Sequence, residues 1–109
     1  MNDTLIAGLR AQCGGPRDGA LLRFSLGNAL LERGDHAAAA DEFRRAVQFD
    51  PTYSAAWKLL GKACLAGNDA AGAAEAWRQG VAVARERGDK QAEKEMTVFL
   101  RRIERQDEG

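Results

Sequence analysis

Few side chains in this sequence are of the kinds that carry out chemistry. The single histidine, His36, follows Asp35 at what reads as the start of a helix, with no serine or cysteine placed to make it a general base. Its ordinary role there is an exposed first-turn residue. Cys13 and Cys64 form no C-x-x-C motif, and two distant cysteines with one histidine fall short of a four-ligand zinc site. Both read as reduced thiols without a chemical role. Gly14 and Gly19 in "CGGPRDGAL" have the gap of a phosphate loop, but Ala20 and Leu21 replace its lysine and Ser/Thr, and no strand precedes it. That segment is a turn. The sequence therefore predicts no catalytic residue, no metal site and no cofactor, and the chain is not expected to be an enzyme.

One arrangement hints at binding. Lys58 and Lys62 are like charges at i and i+4, which repel mildly on one helix face. Such a pair suits an acidic partner, although an ordinary solvated face is the plainer reading. The whole chain balances 16 basic against 16 acidic residues. A nucleic-acid binder needs a basic surplus to displace counterions from phosphates, so nucleic acid is not an expected partner. The charge-rich end is neutral too, with seven of each sign in residues 85–109. No apolar run is long enough for a membrane span. The start, "MNDTLIAGLRAQCGG", lacks a basic leader followed by an apolar block, so a cytoplasmic protein is expected.

The elements that position these residues come from an internal repeat. Shifting the chain by 34 residues places Leu26-Gly27 on Leu60-Gly61. Over residues 26–51 against 60–85, ten of twenty-six positions are identical: Leu26/Leu60, Gly27/Gly61, Ala29/Ala63, Leu31/Leu65, Asp35/Asp69, Ala37/Ala71, Ala39/Ala73, Ala40/Ala74, Arg44/Arg78 and Val47/Val81. Each unit divides at a turn signal, Gly34-Asp35 in the first and "GND" at 67–69 in the second. Glycine would supply the left-handed closing residue and aspartate would cap the next helix. Connections so short make antiparallel hairpins.

Gly27 and Gly61 lie inside helices, where glycine costs about 1 kcal/mol against alanine. We read them as packing devices facing the second helix of their own hairpin. Ala39 and Ala73 would be their small partners, with Leu26, Phe43, Leu60 and Trp77 interlocking around them. Burying one large side chain returns about 1.5–3 kcal/mol, which exceeds that cost.

This pattern resembles the tetratricopeptide repeat, with its 34-residue period and W-x-x-L-G-x-x-Y…A-x-x-x-F…P signature. The second unit supplies Trp57, Leu60, Gly61, Ala73 and Trp77, and the first supplies Leu26, Gly27, Ala39, Phe43 and Pro51. Arg23 replaces the first tryptophan, and Leu30 and Cys64 stand where tyrosine is usual. Arg85 replaces the second proline, so that helix should run on to about Arg87. The resemblance implies an all-α fold of antiparallel helical hairpins stacked as a short right-handed α-solenoid. A single domain over 1–109 is expected, with repeats at 20–53 and 54–87.

The flanks add two helices. Residues 3–13, capped by Asp3, place Leu5 and Leu9 in register with Ala39 and Phe43, as in the second helix of a preceding half-repeat. Residues 89–106, capped by Asp89 after Gly88, carry Ala92, Met96, Phe99, Leu100 and Ile103 on one face. Glu95 stands where an in-register glycine would be, so this segment is expected to cap the second hairpin, the alternative being a helix that docks onto a partner or onto another copy of the chain.

Stacked hairpins of this kind leave a concave face lined by their first helices, where family members commonly bind a peptide. The resemblance thus implies a protein–protein interaction module or adaptor, an assembly factor among the roles open to it. Its groove residues by register are Leu21, Phe24, Asn28 and Leu31, with Ala55, Lys58, Lys62 and Leu65. They suit a peptide with apolar anchors and an acidic group. The carboxylate clamp of some members is not expected: Asn28 matches one of its positions, but Phe24 and Leu59 replace a lysine and an asparagine. Trp57 and Trp77 are expected in the core, because the repeat places both between helices, and Phe24 is open to either a core or a groove role. The alternative function is a self-associating structural module, a homodimer for instance, whose groove or C-terminal helix is occupied by another copy.

Overall fold

The computed structural model describes residues 3–108, and side chains over 3–106. Six helices follow one another: α1 (Asp3–Gln12), α2 (Ala20–Arg33), α3 (His36–Phe49), α4 (Ser54–Ala66), α5 (Ala70–Arg87) and α6 (Lys90–Glu108). From α2 onward each helix packs against the next, and α1 lies on α2. This zigzag puts α2, α4 and α6 on one side and α1, α3 and α5 on the other. The molecule measures 43 × 29 × 18 Å. Its shortest dimension is that of two helix layers, whose axes pack about 8–10 Å apart. The fold is an all-α, tetratricopeptide-like solenoid.

Each hairpin closes with a left-handed residue after its first helix. Gly34 takes φ 89° in the first, and its N–H and that of Asp35 return to Leu30 and Leu31 carbonyls. In the second, Gly67 stays at φ −88°, and Asn68 takes the left-handed position at φ 65°. Asparagine tolerates this region better than most side chains. The aspartates also differ. Asp69 accepts from the Gly72 N–H at 2.9 Å and caps α5. Asp35 makes no such cap, because its carboxylate is drawn to the Arg33 guanidinium. Asp3 is likewise the first residue of α1 and pairs with Arg33 at 2.8 Å.

The atoms nearest to a Cβ on Gly27 or Gly61 belong to aromatic rings and not to Ala39 or Ala73. A Cβ on Gly27 would stand 2.6 Å from Phe43 Cε1, and one on Gly61 would overlap the Trp77 indole. Phe43 and Trp77 are thereby buried almost completely. Ala39 and Ala73 are buried as well, among the same core residues. The α5–α6 contact inverts the device: Gly80 on α5 leaves the space into which Met96 of α6 inserts its sulfur.

Asp89 caps α6 through the Ala92 N–H at 3.2 Å. Ala92, Met96 and Ile103 are buried against the second hairpin, with Phe99 and Leu100 partly so. Met96, one residue past the repeat register of Gly61, is the residue turned inward. On α1 the buried residue is Ile6, while Leu5 is half exposed.

Candidate functional site

The side formed by α2, α4 and α6 carries the eight groove positions. Leu21 on the first turn of α2 is 70% exposed, and Leu65 on the last turn of α4 is 42% exposed. Phe24 is pulled inward, its ring stacked on Tyr53 at 4.8 Å and tilted against Phe43 at 5.8 Å. It belongs chiefly to the core. Leu31 packs partly against the core, and Asn28 and Ala55 are half-buried.

The two lysines have separate environments. Lys58 Nζ lies 3.6 Å from the Glu95 carboxylate of α6, which neutralises it. Lys62 Nζ sits 5.2 Å from the centroid of the Phe99 ring, also on α6. An aromatic face attracts an ammonium through its quadrupole but brings no counter-charge. Residues 95, 99 and 102 share one edge of α6, so Arg102 lies one turn beyond Phe99 along that edge. Glu95, Phe99 and Arg102 are functional candidates that the groove register of the two repeats does not contain. The available signal was the alternation itself, which makes the helix after Gly88 a neighbour of α4.

Arg23 is the other residue whose role came from the structure. It stands in register with Trp57 and is 9% exposed. Its Nε and Nη2 each donate to Asp18 at 2.8 Å, and Nη1 donates to Glu42 at 2.9 Å. Asp18 also accepts from the Gly14 and Gly19 N–H groups. The Arg23 guanidinium, with those amides, holds the Asp18 carboxyl well below the usual carboxylate range. In return the Asp18 carboxylate raises the Arg23 pKa further. The ion triad ties the α1–α2 turn to α2 and α3, where the second repeat uses an indole. Trp57 itself is only half-buried, and its Nε1 donates to the Pro51 carbonyl at 2.8 Å. Its ring floors a cleft of about 430 Å³ on the opposite side, between α3 and α5, with Val47, Leu60 and Ala76.

His36 lies on the first turn of α3 beside Gly67. Cys64 is buried near Arg44, and burial pushes its thiol up, away from the reactive thiolate. Among the described residues no group of three or more His, Cys, Asp or Glu is placed to hold a metal ion. No described helix is long and apolar enough to cross a membrane.

A tetratricopeptide repeat family model matches residues 20–63. Over 101 residues the chain is 55% identical to the TPR repeat-containing protein PA0015 of Pseudomonas aeruginosa, covering 93% of this chain and 96% of that one. The chain belongs to the tetratricopeptide repeat family. The solution structure of protein BPP2914 from Bordetella parapertussis superposes with a TM-score of 0.79 at 47% identity, over 94% of this chain and 90% of that one. The crystal structure of MamA shares the fold, with a TM-score of 0.67 at 18% identity over 94% of this chain and 67% of that one. For this tetratricopeptide protein, family membership points to a protein–protein interaction module with protein partners.

Proposed function

We propose that this tetratricopeptide protein is an adaptor that holds a peptide segment of a partner across the α2–α4–α6 side. The observation that carries this reading is the pair Leu21 and Leu65. Both are large aliphatic side chains left in solvent on that side, while the inward rows of the same helices are fully packed. Exposed aliphatic side chains give a peptide its anchors, and the lysine-bearing edge beside Leu65 adds polar selectivity. A binding role without catalysis fits the same picture, since the buried polar groups are committed to structure. The self-association reading gains less support, because the apolar stripe of α6 is already spent on α5 and its outward row, Lys90, Glu93, Lys94, Thr97 and Arg101, is polar apart from Val98.

The test is a selection of peptides on the immobilised chain from a random library, followed by binding to variants. Leu21→Asp and Leu65→Asp should each weaken the selected peptides, while Glu75→Lys on the exposed row of α5 should leave them unchanged. Loss on Glu75→Lys with retention on both leucine variants would place the partner surface on the other side.

A further inference from the structure

The proposed peptide surface contains one cation that is positioned but not neutralised. Lys58 has Glu95 as its counter-ion, whereas Lys62 is held over the Phe99 ring at 5.2 Å and makes no ion pair among the described residues. Arg102, exposed one turn further along the same edge of α6, likewise makes no ion pair among the described residues. Leu65 stands one turn beyond Lys62 on α4 and is 42% exposed. A ring fixes the ammonium in place and leaves its remaining N–H groups directed away from the aromatic face. The cost of ordering a lysine chain is then met before a ligand arrives. A charged donor ordered in this way makes stronger hydrogen bonds to a carboxylate than to a neutral acceptor.

We infer that Lys62, carried on Phe99 and seconded by Arg102, forms a carboxylate seat, with Leu65 as the aliphatic contact beside it. The occupant is a peptide segment that carries a carboxylate next to a leucine-sized side chain. Charge complementarity selects it: Lys62 and Arg102 make no ion pair among the described residues, Lys62 lies one turn from the exposed leucine on α4, and the Glu95 carboxylate on that edge is engaged by Lys58. This inference rests on the reading of the α2–α4–α6 side as the partner surface. The carboxylate is either an Asp or Glu side chain or a chain terminus, since both present the same two oxygens.

The experiment uses the full chain and two matched pools of random nonapeptides. One pool contains Leu, Ala, Ser, Asp and Glu, and the other replaces the acids with Asn and Gln. Each pool is made with a free and with an amidated C-terminus. Retention is measured on the unaltered chain and on Lys62→Gln, Arg102→Gln and Leu65→Asp variants, whose helical circular dichroism is checked first. The acidic, free-terminus pool should be retained about tenfold more than the amidated Asn/Gln pool, as expected for exchanging a charged for a neutral hydrogen-bond partner. That preference should collapse in Lys62→Gln and shrink in Arg102→Gln. Dependence on the free terminus alone assigns the seat to a terminal carboxylate, and dependence on Asp/Glu assigns it to a side chain. Either result supports the seat. Equal retention of all pools, lost in Leu65→Asp, overturns the seat and leaves the surface standing. Retention indifferent to Leu65→Asp, or no retention of any pool, overturns both.

Discussion

The indole of Trp77 occupies the space in which a side chain on Gly61 would stand, and its Nε1 donates to the Lys58 carbonyl at 3.1 Å. A ring from α5 therefore reaches the backbone of α4 directly, through the gap that the glycine leaves. Phe43 repeats the relationship with Gly27, without a hydrogen bond to the helix. The lost helix propensity at these glycines is small beside the burial of the two aromatic side chains.

Gly61→Ala should destabilise the protein by about 1–3 kcal/mol, because overpacking outweighs a propensity gain of about 1 kcal/mol. Gly27→Ala should act in the same direction but less, since no hydrogen bond is disturbed. Urea midpoints of Gly61→Ala, Trp77→Phe and the double variant form the check. The smaller ring should relieve part of the alanine's cost, and strictly additive effects would contradict the contact.

Gly8 gives the opposite expectation. It lies within α1, and a Cβ there would meet nothing within 4 Å. Gly8→Ala should stabilise the chain by about 0.5–1 kcal/mol through helix propensity and a less flexible unfolded state. Hydrogen exchange of the α1 amides would show slower opening. Faster exchange would mean that α1 is held by something other than its own helix and α2.

Asn68 holds the left-handed turn at φ 65° that Gly34 holds in the first hairpin. Asn68→Gly should be neutral or stabilising, and Asn68→Ala should cost about 1 kcal/mol, since the Cβ penalty remains and the asparagine's tolerance is lost. Thermal melts of the two variants would rank them. Alanine ranking above glycine would show that the side chain, and not the backbone angle, governs this turn.

Acid should act through the Arg23 triad. The Asp18 carboxyl titrates lower in the folded chain than in the unfolded one, chiefly because of its bonds to Arg23. Its contribution is therefore complete above the unfolded value near 3.9 and drains away as pH falls through and below that value. Asp18→Asn should lower the melting temperature at pH 7 and flatten its decline between about pH 4 and pH 2. Asp3 and Asp50 are also lowered, by Arg33 and by Thr52 respectively, so a residual slope should persist. A variant whose melting temperature falls with acid as steeply as before would remove Asp18 from the acid response.

The sequence by itself determined the two hairpins. Helical periodicity, the 34-residue identity and the turn residues are local properties, repeated in one chain, and they require no knowledge of distant neighbours. It also determined the apolar face of α6, because Ala92, Met96, Phe99, Leu100 and Ile103 are spaced for one helix. The second turn is legible in the same register: Gly34 aligns with Asn68, not Gly67, which marks Asn68 as the left-handed residue. Tertiary structure alone decided that the Phe43 and Trp77 rings, and not Ala39 and Ala73, come nearest to Gly27 and Gly61, since spacing locates a gap but not which of the facing side chains fills it. It also decided that Met96 turns inward, and thus that Glu95 and Phe99 face Lys58 and Lys62 across α4 and α6. The rotation of a terminal helix is fixed by packing against its neighbour, and the Gly80–Met96 fit sets it here. Arg23 shows the same division: the sequence exposes the departure from tryptophan, and only the fold brings Asp18 and Glu42 to it.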